Sequence, residues 1–184
     1  EFASEILIDV CHAQTAVCGY NFRFGKGASG DTDALASLMK QNGAEFIVFY
    51  MHWGNEYERR ENSEQKRLAG ILQREGVDII IGSHPHVVQP FYADSTSVVF
   101  YSLGNLVSNQ QRHYTDGGLI AEVEVIRCDT IEGLRYRATA HPVWVLCPEY
   151  RVLPRSVGDT LTMSTEARAK YEQFMSDTEK LLGI

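Results

Sequence analysis

Ile79-Ile80-Ile81-Gly82-Ser83-His84-Pro85-His86-Val87 is the stretch on which the reading of this chain turns. The apolar run from Val77 to Ile81, broken only by Asp78, reads as a buried strand of a parallel sheet. It stops at Gly82, where the backbone turns freely. His84 and His86 follow at i and i+2, positions that point to the same side in extended backbone. Pro85 fixes its own φ and biases the residue before it away from helix. Two imidazoles therefore converge at the carboxyl end of a buried strand, where open α/β sheets place their chemistry. Taken alone, the pair reads equally well as an exposed turn or as a metal or catalytic site.

Working outward, Asp31 is a good N-cap for a helix carrying Leu35, Leu38 and Met39 at helical spacing, with Asn42-Gly43 as its stop. Phe46 to Met51 is a buried strand by length and β-branched content, and it ends in His52. A second helix runs from Ser63 to Glu75 on the stripe Leu68, Ile71 and Leu72, and Gly76 closes it. Strands joined by a helix lie parallel through a right-handed crossover. Their carboxyl ends then share an edge, which brings His52 to His84 and His86. Three neutral imidazoles suit first-row metals such as Mn, Fe or Zn rather than Ca or Mg. A metal held there would polarise an ester or amide and acidify a bound water.

The remaining segments frame this unit. Ile6–Val10 and Thr15–Tyr20 read as strands around a short turn, and Asn21–Gly30 as a Gly-rich loop that fits neither dinucleotide nor P-loop spacing. Asp9 and His12 straddle a strand end but are too sparse a signal for a metal site. Ser97–Ser102 is a further strand, leading into Leu103-Gly104-Asn105. Gly118–Arg127, Leu134–Ala140 and Val143–Leu146 read as antiparallel strands, with a hairpin turn at Asp129–Gly133 and a kink at His141-Pro142. Pro148–Gly158 reads as irregular. An amphipathic helix over 163–182 ends the pattern.

A length of 184 residues suits one domain, and a net charge of −7 leaves no excess of Lys or Arg to neutralise nucleic-acid phosphates. No apolar run approaches the roughly 20 residues that span a bilayer. The opening Glu1-Phe2-Ala3-Ser4 has no signal-peptide character, so any membrane association is expected through segments outside this chain. Cys11, Cys18, Cys128 and Cys147 form no CxxC pair and read as buried thiols.

His52-Trp53-Gly54-Asn55-Glu56-Tyr57, Gly82-Ser83-His84-Pro85-His86-Val87-Val88-Gln89-Pro90 and Tyr101-Ser102-Leu103-Gly104-Asn105 together resemble three ordered signatures of the CapA family. This is the capsule-synthesis, poly-γ-glutamate-associated family, itself similar to calcineurin-like metallophosphoesterases. The resemblance covers about residues 5–154. It implies an α/β fold, a metallophosphoesterase-like α/β/β/α sandwich with a mixed sheet, C-terminal antiparallel strands and a terminal helix. It also implies a site for divalent transition metal (Mn, Fe or Zn), two ions in the intact domain. His52, His84 and His86 match its metal-binding histidines, Glu56 its signature acid and Asn105 the Asn of its SLGN turn; the last two are the expected catalytic residues. The Asp, Gly-Asp and Asn-His motifs of the parent pattern have no match here, and Gly30-Asp31 is better read as a helix cap. The chain is therefore expected to be one CapA-like domain over 1–184 that lacks its N-terminal half. The implied role is metal-dependent hydrolysis of an anionic cell-envelope polymer such as poly-γ-glutamate, with no nucleic-acid partner and an extracytoplasmic parent protein. A non-catalytic module binding polymer or partner is the alternative. Arg112, near the SLGN turn, is a candidate to meet an anionic substrate, whereas His113 reads as a surface residue.

Overall fold

The computed structural model describes residues 23, 26–41, 43–110, 112–127 and 133–184. The strands expected at 6–10 and 15–20, most of the expected hairpin turn, and Cys11, Cys18 and Cys128 lie outside the described residues.

The order from residue 31 is helix, strand, helix, strand. Helix α1 (Thr32–Gln41) starts where Asp31 accepts a hydrogen bond from the Ala34 N–H at 3.0 Å, the cap that Gly30-Asp31 was expected to be. Strand β1 (Val48–His52) pairs in parallel with β2 (Ile79–Ser83), and helix α2 (Ser63–Arg74) makes the crossover. Strand β4 (Val98–Phe100) continues the parallel set beside β2, and β3 (Phe91–Ala93) closes it antiparallel. The sheet order among the described residues is β1-β2-β4-β3.

The apolar run of β2 is continuous because both its faces are covered. Ile80 packs with Ala36 of α1, Ala69 and Leu72 of α2, and Phe49, Met51 and Val99. Ile79 faces the other way, toward Val98, Phe100 and the second sheet. Asp78, the one polar break in that run, accepts from the Ile47 N–H at 2.8 Å and from Lys40 at 2.9 Å, so it ties the end of α1 to the entry of β1.

The second sheet is antiparallel, with order β5 (Gly117–Arg127), β6 (Leu134–Leu146) and β7 (Arg151–Pro154). Leu119, Tyr136, Ala140 and Trp144 on its inner face join the core shared with the first sheet, and Tyr171, Phe174 and Met175 of the terminal helix α4 (Thr165–Leu182) complete it. Ser164 caps α4 by accepting from the Ala167 N–H. The mixed α/β architecture, antiparallel C-terminal sheet and terminal helix are those expected.

Three local expectations are corrected. β3 is an additional short strand, set by a turn in which Asp94 accepts from the N–H groups of Thr96 and Ser97. β6 runs unbroken through His141-Pro142, with Pro142 opposite Leu119. Pairing with β7 begins only at Val143, so β6 has no β7 partner where Pro142 lacks its donor. The stretch 148–158 is not irregular throughout, since it holds β7 and the short helix α3 (Arg155–Gly158).

Candidate functional site

β1 and β2 end side by side, with His52 opposite Ser83, and the loops that leave them build the site. The His52 and His84 rings lie 4.4 Å apart between centroids, and those of His84 and His86 6.2 Å apart. The convergence expected from sequence is present, but its cause differs. His84 has φ 99° and His86 φ 60°, so both sit in left-handed backbone around Pro85 rather than in an extended segment. Such conformations cost a non-glycine residue on the order of 1–3 kcal/mol and persist only where the surroundings enforce them.

The enforcement is visible. The Trp53 N–H donates to Ser83 O at 3.2 Å, the Tyr57 N–H to Pro85 O at 2.7 Å, and the Leu103 N–H to Gly82 O at 3.1 Å. Backbone bonds thus lace together the three segments singled out in the sequence. Gly82 permits the approach: a Cβ there would lie 2.1 Å from Tyr101 O and 2.5 Å from Trp53 Nε1. Trp53 is buried, donates from Nε1 to Tyr101 O at 2.8 Å and stacks on the Tyr101 ring; it supports the edge and is not a substrate platform.

Two buried glutamines hold the Glu56 loop from beneath. Gln65 donates to Gln89 Oε1 at 2.8 Å, and Gln89 donates to the carbonyls of Glu58 and Arg60 at 2.8 and 3.1 Å. Their role escaped sequence reading because nothing local distinguishes a buried amide from a surface one.

Asn105 fixes the state of His86. Its Nδ2 donates to Thr115 O at 2.9 Å, which turns Oδ1 toward His86 Nδ1, 3.1 Å away. Oδ1 only accepts, so Nδ1 carries the proton and, in the neutral ring, Nε2 keeps its lone pair. Glu56 Oε1 stands 3.8 Å from that Nε2. Two acceptors facing each other across this gap are joined by a proton or a cation, not by each other. Asn105 therefore positions His86, and Glu56 lies beside it half-exposed.

Tyr57, whose role no sequence pattern marks, takes φ 67° and stacks on His86 with centroids 6.0 Å apart. The Arg112 guanidinium lies over the Tyr57 ring at 4.1 Å. His113 is exposed beside Tyr114, and His141 pairs with Glu122 on the outer face of the second sheet; neither joins the cluster. Cys147 is half-buried just past the end of β6.

The chemistry of these donors suits a first-row metal. Their number does not complete a shell: among the described residues, no three His, Cys, Asp or Glu side chains are grouped so as to hold one ion. No helix among the described residues is long and apolar enough to cross a membrane.

The family model described as bacterial capsule synthesis protein PGA_cap matches residues 15–110, which contain all the histidines of the cluster and Asn105. A protein of Bacillus subtilis (strain 168) named PGA biosynthesis protein CapA is 45% identical over 102 residues, covering 52% of this chain and 27% of the relative. Capsule biosynthesis protein CapA of Bacillus anthracis is 36% identical over 105 residues, covering 51% of this chain and 25% of the relative. The match thus spans about a quarter of the length of these curated relatives.

Proposed function

Because this chain belongs to the PGA_cap family of bacterial capsule synthesis proteins, we propose that it works in making or handling a capsule polymer of the poly-γ-glutamate type at the cell envelope, through the histidine edge. The observation that carries the site is the pair of left-handed histidines, His84 and His86, held in place by three converging segments. Strain of this kind collects at functional sites.

The reading taken for the intact protein is metal-dependent hydrolysis. Since no three of the described side chains are grouped on one ion, a divalent Mn, Fe or Zn ion would take at most two of His52, His84 and Nε2 of His86 as they stand, the rest of its shell coming from other donors. When bound, the metal would supply a polarised substrate carbonyl or phosphoryl group and an acidified water. The chain's own residues prepare that edge. Asn105 keeps the His86 proton on Nδ1. Glu56, beside His86 Nε2, carries a proton to or from the reacting group. The backbone bond from Tyr57 to Pro85 keeps the acid and the imidazole in register.

The alternative is a module that binds polymer without cleaving it, and the donor set among the described residues, incomplete for one ion, is the observation on its side. Metal content of the full-length protein, measured beside hydrolysis of poly-γ-glutamate and of a phosphodiester, separates the two. Hydrolysis lost together with metal in His52→Ala and His84→Ala, and lost with metal retained in Glu56→Gln, is the result expected. Tight polymer binding with no cleavage by the metal-loaded wild type would leave the binding module.

A further inference from the structure

We propose that Arg112, seated on the Tyr57 ring, is the residue that takes a substrate carboxylate next to His86. The inference rests on the polymer-handling role above and adds to it the group that reads the polymer's charge. Three observations carry it. The guanidinium stacks over Tyr57 at 4.1 Å and makes no ion pair among the described residues, whereas Arg67, Arg137 and Arg155 each pair with a carboxylate. The same Tyr57 ring stacks on His86, so the cation is anchored one ring away from the histidine cluster. Arg112 is exposed, and its carbonyl is tied to the turn that follows, accepting from the Thr115 N–H at 2.9 Å and from the Thr115 hydroxyl at 2.7 Å.

An aromatic face orients a guanidinium without using its N–H donors, which stay free for a planar, bidentate acceptor. A γ-linked glutamyl chain offers that acceptor once per unit, because the side-chain carboxyl forms the amide and the α-carboxylate remains free. Arg112 engaging one such carboxylate sets where the neighbouring linkage lies along the histidine edge. A chain with net charge −7 repels a polyanion at long range. A cation held at the site itself is how such a surface still takes an acidic polymer.

The test is binding of defined-length poly-γ-glutamate to the full-length protein by calorimetry, beside its uncharged methyl ester. Arg112→Gln is expected to weaken binding of the acid about tenfold or more, the loss of one charge-assisted contact. Arg112→Lys should recover only part, since an ammonium neither stacks nor forks as a guanidinium does. Tyr57→Leu, shown folded by circular dichroism, should weaken binding of the acid like Arg112→Gln and leave the weak binding of the ester unchanged, a loss confined to the charged ligand that a role in folding alone does not produce. The ester should bind weakly to all. Wild-type affinity in a folded Arg112→Gln variant would overturn the Arg112 assignment and leave the polymer role standing. Failure of the wild type to bind the acid at all would overturn both.

Discussion

Glu61 shows how much a single side chain contributes beneath the site. It is 8% exposed, accepts from the Tyr92 hydroxyl at 3.0 Å and pairs with Lys66 at 3.2 Å. Burial pushes its carboxyl pKa up, but its own backbone N–H, Lys66 and Tyr92 outweigh that and hold it below the ordinary value. A depressed acid contributes stability above its unfolded pKa of about 4.3 and loses it as pH falls through the lower folded value. Glu61→Gln should therefore cost about 1–3 kcal/mol at pH 7 and progressively less below pH ~4. Denaturant unfolding at the two pH values checks this, and an equal loss at both would remove the ionic explanation. At Gly82 the issue is space, not charge. Gly82→Ala drives a methyl into the Tyr101 carbonyl and should cost about 2 kcal/mol or more; an unchanged melting temperature would mean that the edge is looser than described.

At the scale of elements, α2 is the tie between core and site. Asn62 and Gln65 cap it reciprocally, with Asn62 accepting from the Gln65 N–H at 2.8 Å and Gln65 Oε1 from the Asn62 N–H at 2.9 Å. Gln65 then passes to Gln89 and so to the Glu56 loop. Asn62→Ala should cost about 1 kcal/mol, the value of a cap. Gln65→Leu should do more than destabilise, because it releases the loop; amide exchange at Glu58 to Glu61 should accelerate while β2 stays protected. Uniform acceleration would make the pair merely structural. The strands and helices around this tie were legible because their patterns are local: β2 by its apolar run with the single break at Asp78, α2 by its stripe and closing glycine. What was not legible rests on contacts distant in sequence. β3 is three residues long and exists through β4. The left-handed turns at His84 and His86 need the 53–57 and 101–105 segments to hold them, and the Gln65–Gln89 pair joins residues that no periodicity links.

For the molecule as a whole, the exposed side of β1 matters most. Phe46, Val48 and Tyr50 are 42, 37 and 47% exposed, and among the described residues β1 has a strand neighbour on one side only. An apolar edge of this kind templates pairing with another chain. Prepared by itself, this stretch of protein should self-associate with rising concentration, and Val48→Lys should suppress it without loss of folding. Sedimentation velocity decides: a wild type that stays monomeric across the concentration series would show that this edge is covered by residues of the same chain.

The left-handed backbone at His84 and His86 sets stability against the proposed site. Such backbone is the mirror image of the right-handed region, so glycine or a D-residue sits there in comfort. His84→Gly should raise fold stability by up to about 1 kcal/mol, the strain relieved less the freedom the unfolded chain gains. A directed-evolution campaign scored on thermotolerance alone would then reward the loss of both imidazoles, and libraries built from this scaffold would lose the proposed site unless those two codons were locked.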